Sequence, residues 1–387
     1  MTNLLNTTAI LPALFSVIAV SVVHPWLVRI ALLKNIVDNP NARKLNKVPV
    51  PVLGGVGVFL GLILSLGVSG YYVEAMNLPF VVIIAMTIML YIGVGDDILD
   101  LSPRIRFLVQ IFSVCLVMLV GGVSIDNFHG LWGIYELPRI IAICFTIVSC
   151  VGIINAINLI DGVDGLCSGY GMFSSLLFAV CFFRMGDVSF GVLAMAIFGA
   201  LIPFCLHNMF GKKYKMFMGD GGSLMLGFVS SLFVVRVIQS GDDVVTGSNI
   251  ALTLAILAVP VFDTLRVMTA RMLQRRSPFS PDKTHLHHMF IRLGFSHVIT
   301  ALNVIALNGL VVVIWHLCNV WNFTPEVQLY VTSVSGILFT TGLYYGVEYI
   351  ERSHPAVYAK IQNFVEKYSI RRSGFLLKLQ QVLDGGE

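Results

Sequence analysis

The segment VGIINAINLIDGVDGL, residues 151–166, carries four polar side chains at intervals of three in an otherwise apolar stretch. These are Asn155, Asn158, Asp161 and Asp164. On an unbroken helix this spacing drifts around the cylinder, so that the last side chain would lie nearly opposite the first. Gly162 and Gly165 let the chain leave the helix. We therefore predict that the asparagines lie on the last turns of a membrane span and the aspartates on the turn after it.

Carboxylates in such a position are usually functional, because an aspartate at the centre of a membrane helix costs about 2.5–3.5 kcal/mol. Two carboxylates and two amides at a membrane edge suit a metal ion, phosphates or a sugar. The alternative is a polar helix cap and turn between two spans.

The composition predicts an all-α, polytopic integral membrane protein. Of the 387 residues, 57% are hydrophobic and 12% are charged, whereas about 25% of the residues of a soluble protein are charged. Since a spanning helix needs about 20 mostly apolar residues, the sequence predicts about eleven transmembrane helices. They lie roughly at residues 8–33, 53–73, 79–95, 105–123, 138–157, 166–184, 189–210, 224–239, 248–268, 298–319 and 328–349. The seven scattered cysteines show neither a disulfide framework nor zinc-site spacing.

The basic residues predict the orientation. Most of the 25 lysines and arginines fall in the loops after odd-numbered spans and in the C-terminal tail. The positive-inside rule then places the N-terminus outside and the C-terminus in the cytoplasm. We expect residues 1–349 to form a single polytopic transmembrane catalytic domain and residues 350–387 a cytoplasmic basic tail. These charges suit the lipid bilayer, and we expect no nucleic-acid partner.

The same parity brings four polar clusters to the cytoplasmic face: the segment described above, which follows the fifth span, and three others. The first, GDDILD, ends the third span with Asp96, Asp97 and Asp100. Asp96 and Asp100 share a helix face. Adjacent carboxylates repel unless a cation or a proton lies between them, so this cluster favours a functional site. The alternative is an N-cap for the next helix, which would not need three aspartates.

The cluster FMGDGGS, residues 217–223, precedes the eighth predicted span. We expect its glycines to leave backbone amides exposed and to let the chain turn around a phosphate. Asp220 suits Mg²⁺, which uses one or two carboxylates together with substrate phosphates. The alternative is an ordinary interhelical turn that Asp220 caps.

The cluster SPFSPDKTHLHH, residues 277–288, lies in the longest inner loop. Two prolines, Pro278 and Pro281, are expected to break the helix begun in the ninth span. The imidazole and guanidinium groups of this loop would bind a diphosphate. The side chains in question belong to His285, His287, His288, Arg271, Arg275 and Arg276. A zinc site is the rival interpretation, but no Cys or Glu has suitable spacing.

With these motifs the chain resembles the polyprenyl-phosphate N-acetylhexosamine-1-phosphate transferases. The matching stretches are PVLGG at 51–55, GDD at 95–97, NAINLIDGVDGL at 155–166, FMGDGGS at 217–223 and SPFSPDKTHLHH at 277–288. The resemblance implies a multi-pass enzyme of the bacterial inner membrane whose active site faces the cytoplasm. It also implies a UDP-sugar donor, a polyprenyl phosphate acceptor and Mg²⁺, with Mn²⁺ as a substitute. A homodimer is compatible with it.

The histidine run decides the branch. HLHH after SPFSPDK resembles the WecA-like branch, whereas the muramoyl-pentapeptide branch has three consecutive histidines. The resemblance thus implies transfer of N-acetylglucosamine 1-phosphate from UDP-N-acetylglucosamine to undecaprenyl phosphate. UMP is released, and lipid-linked cell-surface polysaccharide synthesis begins. The alternatives are another UDP-N-acetylhexosamine or UDP-MurNAc-pentapeptide as donor, or a secondary transporter, which would place carboxylates near the midplane.

The resemblance also suggests roles for the polar residues. Catalytic roles are expected for Asp96, Asp97, Asp161, His285, His287 and His288. Asp220 is expected to hold the metal, with Asp97 as a second ligand. Substrate-binding roles are expected for Lys47, Asn155, Asn158, Asp164, Phe217, Arg271, Arg275 and Arg276. Asp96 or Asp97 would orient or deprotonate the lipid phosphate, and an aspartyl-phosphate route is the alternative.

Overall fold

The fold is mostly helical in the part of the chain that the computed structural model describes. That part comprises residues 2–39, 48–73, 77–240, 248–278, 283–367 and 375–385. The helices are α1 (Thr2–Leu33), α2 (Gly54–Tyr72), α3 (Phe80–Leu99), α4 (Pro103–Gly121), α5 (Arg139–Leu159), α6 (Leu166–Arg184), α7 (Val188–Phe210), α8 (Gly219–Gln239), α9 (Ser248–Ile256), α10 (Ala258–Leu273), α11 (Leu286–Arg292), α12 (His297–Val320), α13 (Pro325–Ile337), α14 (Leu343–Ser353), α15 (Pro355–Lys367) and α16 (Phe375–Leu383). A short antiparallel pair joins β1 (Val37–Asp38) to β2 (Val50–Pro51).

The predicted spans correspond closely to the observed helices. Nine helices within the described ranges are long and apolar enough to cross a membrane, and α9 with α10 would make a tenth span that bends by 76°. The last predicted span, residues 328–349, coincides with α13, a π-helical segment at Leu338–Gly342 and α14. The all-α membrane fold is therefore confirmed, whereas the count of eleven and the orientation stay predictions.

The bend between α9 and α10 has a local chemical cause. Pro260 lacks the N–H that would bond to the carbonyl of Ile256 four residues earlier. That carbonyl accepts hydrogen bonds from Tyr170 Oη at 2.7 Å and from Asn308 Nδ2 at 2.9 Å. Asn308 Oδ1 in turn accepts the N–H of Val259 at 2.8 Å. The neighbouring helices thus satisfy the backbone groups that the break releases, as a lipid environment requires.

Helix α8 lies at the centre of the bundle, and nearly all of its residues are buried. Glycines allow its first turn to approach two other helices. A Cβ atom at Gly55 of α2 would collide with the backbone of Gly222, and one at Gly93 of α3 would collide with that of Gly221. The N-terminal end of α2 and the C-terminal half of α3 are therefore held against the start of α8.

This packing corrects the interpretation of FMGDGGS as a loop that turns around a phosphate. Helix α8 begins at Gly219, so the glycines lie in its first turn. They serve close helix packing, because neighbouring backbone occupies the space where their side chains would be.

The C-terminal helices fold back onto the bundle. Helix α16 packs against α7. Asp384, just after α16, accepts the backbone N–H groups of Lys212 at 3.1 Å and Lys213 at 2.9 Å. The division into residues 1–349 and 350–387 stays a prediction.

Candidate active site

Three of the predicted motifs converge at the start of α8. Asn158, on the last turn of α5, donates from Nδ2 to Asp220 Oδ1 and to Ser223 Oγ, both at 2.8 Å. Asp97, near the end of α3, accepts the backbone N–H of Asp220 at 3.0 Å through Oδ1 and that of Gly221 at 3.4 Å through Oδ2. A carboxylate at a helix N-terminus is stabilised by the free amides and by the helix dipole. Asp97 is therefore already engaged by α8.

A fourth motif, PVLGG, fixes the segment that leads into α8. The N–H of Phe217 donates to the carbonyl of Pro51 at 2.8 Å. In the other direction, Gly54 donates to the carbonyl of Phe217 at 3.0 Å, and Gly55 donates to that of Met218 at 2.9 Å. These bonds fix the backbone of Phe217, and its side chain stays partly exposed.

The neighbouring Asp96 is neutralised by an arginine. Its Oδ2 accepts from Arg106 Nη1 at 2.6 Å, and its Oδ1 accepts the N–H of Leu101 at 2.8 Å. The same Arg106 nitrogen lies 3.5 Å from Asp220 Oδ2. Because the Arg106 side chain is 29% exposed, its remaining donors can meet an anion.

The turn after α5 carries Asp164, which is also paired. Its Oδ2 lies 2.6 Å from Lys215 Nζ and 2.9 Å from His297 Nδ1. Burial alone would raise the pKa of Asp164, but the hydrogen bond from His297 and the charge of Lys215 outweigh it and lower that pKa. Lys215 Nζ also lies 5.6 Å from the centre of the Phe217 ring. Asp164 is therefore ionised and links the turn to the segment before α8.

Asp161 differs from these aspartates, because no described residue gives its carboxylate a hydrogen bond or a positive partner. Burial and the negative charges of Asp220, Asp97 and Asp164 raise its pKa to about 8. Uncompensated carboxylates of this kind fit a cation. Among the described residues, however, no three Asp, Glu, His or Cys side chains form a metal site by themselves. The arrangement suits Mg²⁺, which takes few protein ligands and completes its shell from water and phosphate.

The histidine run lies against the same turn. His287 Nε2 occupies the space beside Gly162, where a Cβ atom would come within 2.7 Å of it. The ring of His287 stacks parallel to that of His285 at 5.7 Å, and its centre lies 4.2 Å from that of His288. Burial and the neighbouring imidazoles lower the pKa of His287 well below its usual range. His287 is therefore neutral and can act as a hydrogen-bonding group.

Comparison with known proteins agrees with this convergence. The family model described as glycosyl transferase family 4 matches residues 79–238. The chain is 32% identical over 290 residues to a probable undecaprenyl-phosphate N-acetylglucosaminyl 1-phosphate transferase of Bacillus subtilis. The aligned region covers 74% of this chain and 78% of that protein. The chain belongs to glycosyl transferase family 4. It is also 28% identical over 290 residues to the undecaprenyl-phosphate alpha-N-acetylglucosaminyl 1-phosphate transferase of Salmonella typhi, over 74% of this chain and 77% of that protein.

Some predicted residues of this family 4 transferase lie apart from the carboxylates or outside the described residues. Asn155 donates to Gln110 Oε1 at 2.8 Å and to the carbonyl of Val151 at 2.7 Å, so it joins α5 to α4. The guanidinium of Arg271 is buried and donates to the carbonyl of Pro278. The structure shows no contact between the carboxylates and the exposed side chains of Arg275 and Arg276. Lys47 and residues 279–282 lie outside the described residues.

Three residues of the site were not predicted. Arg106 and Lys215 appear in the sequence only as basic residues of inner loops, and His297 precedes a span without any motif. No motif identifies them, because their partners lie in other segments: Arg106 is 10 positions from Asp96, and Lys215 is 51 positions from Asp164. His297 and its partner Asp164, for example, are 133 positions apart.

Proposed function

We propose that this family 4 transferase moves N-acetylglucosamine 1-phosphate from UDP-N-acetylglucosamine to undecaprenyl phosphate. An oxygen of the acceptor phosphate attacks the phosphorus that bears the sugar. The bond between the two phosphates of the donor breaks, and UMP leaves with the electron pair. The observation that carries the proposal is the convergence of Asp97, Asp161 and Asp220 in a chain so similar to transferases of that name.

The charges of the site favour a divalent cation as cofactor. Asp96 is paired with Arg106 and Asp164 with Lys215. Asp161 lacks a compensating partner among the described residues, and the negative charge of Asp220 acts on it. Asp220 and Asp161 would hold Mg²⁺, or Mn²⁺ in its place, with Asp97 as a further ligand. When bound, the ion neutralises the negative charge that develops on the diphosphate.

The residues around Asp164 suit the nucleotide of the donor. The half-exposed ring of Phe217 offers a flat face for a base, and Lys215 lies above it. The ion pair with Asp164 holds Lys215 in place, so this surface is formed before the donor binds. His287, which is neutral and lies at Gly162, would donate a hydrogen bond to a phosphate oxygen.

Arg106 suits the acceptor phosphate. Asp96 orients the guanidinium, which is near Asp220 and still has exposed donors. This pairing favours a role for Asp96 through Arg106 rather than as a base. A strong base is not needed, because a phosphate monoester has a second pKa of about 6 and is largely dianionic at neutral pH. Catalysis would then rest on positioning and charge neutralisation.

The location of the site argues against a secondary transporter. Its carboxylates lie at the inner ends of α3, α5 and α8, whereas transporters bind substrates near the midplane. We place the enzyme in the bacterial inner membrane with this face toward the cytoplasm. A homodimer stays an open prediction.

The donor can be tested with the purified protein in detergent, undecaprenyl phosphate and Mg²⁺. Radiolabelled UDP-N-acetylglucosamine should yield lipid-linked product and UMP in equal amounts. UDP-MurNAc-pentapeptide should yield neither. Preferential use of the peptide-bearing donor, or sugar transfer without UMP release, would contradict the proposal.

A further inference from the structure

A buried network lies behind the histidine run, on α10. Asp263, only 2% exposed, accepts from His285 Nδ1 at 2.9 Å through Oδ2. Its Oδ1 accepts from Arg266 Nη2 at 2.6 Å. Both oxygens also lie within 3.2 Å of the backbone nitrogen of Leu286, at the start of α11. The carboxylate thus joins α10 to the beginning of α11.

This network determines how the ring of His285 is held. With Nδ1 bound to the carboxylate, Nε2 is the only ring nitrogen left for another partner. That Nε2 atom is buried and has no hydrogen-bond partner among the described residues. Buried polar atoms are seldom left unpaired, so an unpaired one in a candidate active site indicates a missing ligand.

The ring of His285 also contacts the rest of the site through His287. It stacks parallel to the ring of His287, with 4° between their planes. His287 lies against Gly162, in the turn that carries Asp161. A change in the orientation of His285 would therefore shift His287 and, through Gly162, the turn that carries Asp161.

We propose, building on the function proposed above, that Asp263 is a positioning residue of this enzyme. It fixes the ring of His285, which in its doubly protonated form donates from Nδ1 to Asp263 and from Nε2 to a phosphate oxygen of the nucleotide-sugar donor. Asp263 itself does not touch the substrate. Arg266 completes the support, since it donates to the carbonyl of Thr284 at 2.6 Å and packs 3.9 Å from the ring centre of Tyr344.

A double-mutant cycle between Asp263 and His285 tests this proposal. The variants are Asp263→Asn, His285→Ala and the pair together, assayed with UDP-N-acetylglucosamine and undecaprenyl phosphate. Asp263→Asn should raise the KM for the donor about tenfold or more and leave the KM for the acceptor within twofold. In the His285→Ala background the same substitution should change the donor KM by less than twofold.

Asp187→Asn is a matched control. Asp187 also pairs with an arginine, Arg236, at 2.7 Å and also accepts a backbone N–H at a helix start, but at the opposite end of the bundle. This variant should keep the wild-type donor KM. The proposal would be overturned if Asp263→Asn kept the wild-type donor KM. It would also be overturned if the change in donor KM in the double variant equalled the product of the changes in the two single variants.

Two further measurements keep the test decisive. If Asp263→Asn does not fold, the pair Asp263→Asn with Arg266→Gln replaces it, because both buried charges are then removed together. This pair is then combined with His285→Ala in the same double-mutant cycle, with the same expected changes in the donor KM. If the wild-type enzyme releases no UMP from UDP-N-acetylglucosamine, the proposed function is refuted. If the wild-type enzyme is active but the mutant cycle gives the contrary result, only the role of Asp263 is refuted.

Discussion

At the scale of single residues, the aspartates of the site differ in the groups that offset their negative charge. Asp96 has an arginine, Asp97 has the amides of α8, and Asp164 has a lysine and a histidine. Asp161 has none of these among the described residues. Four carboxylates of similar appearance in the sequence therefore have different surroundings, and the roles proposed for them follow from their partners.

Asp164→Asn should weaken both stability and donor binding. Loss of the charge-assisted bonds to Lys215 and His297 should lower the free energy of unfolding by about 1.5–3 kcal/mol at neutral pH. Because the pKa of Asp164 is lowered, this stabilisation is present above the ordinary value of 3.8 and is lost as the pH falls through the folded-state pKa. Thermal unfolding in detergent at pH 7 and at pH 3 checks the expectation. An equal deficit at both pH values would contradict it.

Asp96→Asn and Arg106→Gln should share a phenotype. If Asp96 acts by orienting Arg106 toward the acceptor, each variant should raise the KM for undecaprenyl phosphate or lower turnover at least tenfold. The affinity for the donor with Mg²⁺ should stay within a few fold of wild type. Steady-state kinetics with both substrates give the answer. A loss of donor binding in Asp96→Asn would place this aspartate with the metal instead.

At the scale of elements, close helix packing decides where the aspartates lie. The predicted helix bounds agree with the structure because apolar runs determine them. The close approach of α2 and α3 to α8 was not predicted, since glycines read equally well as a phosphate loop or as a packing surface. The bend at Pro260 was also not predicted, because its compensation by Tyr170 and Asn308 depends on distant helices.

Gly55→Ala should push α2 away from the start of α8. The added methyl group meets the backbone of Gly222, so we expect a loss of about 1–3 kcal/mol of stability together with lower turnover. Gly67→Ala, on the same helix, is the control, because nothing lies within 4 Å of its added Cβ. That variant should unfold at or slightly above the wild-type temperature. Equal effects of the two substitutions would show that helix propensity, not packing, is responsible.

At the scale of the whole molecule, helix ends on one face of the bundle bring the motifs together. The sequence predicts this convergence through the parity of the spans, because clusters after odd-numbered spans share one face. It does not predict which clusters touch. The contact of His287 with Gly162, or of His297 with Asp164, joins positions more than a hundred residues apart, and no local pattern encodes it.

The orientation can be tested with single cysteines in a background without the native seven. A cysteine at Lys283 should react with a membrane-impermeant reagent only from the cytoplasmic side. A cysteine at Asn127 should react only from outside. Intact cells and inverted vesicles provide the two sides. Labelling of position 283 in intact cells would contradict both the orientation and the placement of the active site.

The most direct test of the whole account is the dependence of donor binding on Mg²⁺ when Asp220 is changed. Asp220→Asn keeps the oxygen that accepts from Asn158 and keeps the shape of the side chain in the first turn of α8, but it removes the charge. Titration calorimetry with UDP-N-acetylglucosamine, with and without Mg²⁺, should show metal-dependent binding in the wild type and in Asp187→Asn. It should show none in Asp220→Asn and a strong reduction in Asp161→Asn. Wild-type, Mg²⁺-dependent binding in both site variants would contradict the assignment of the carboxylates to the metal.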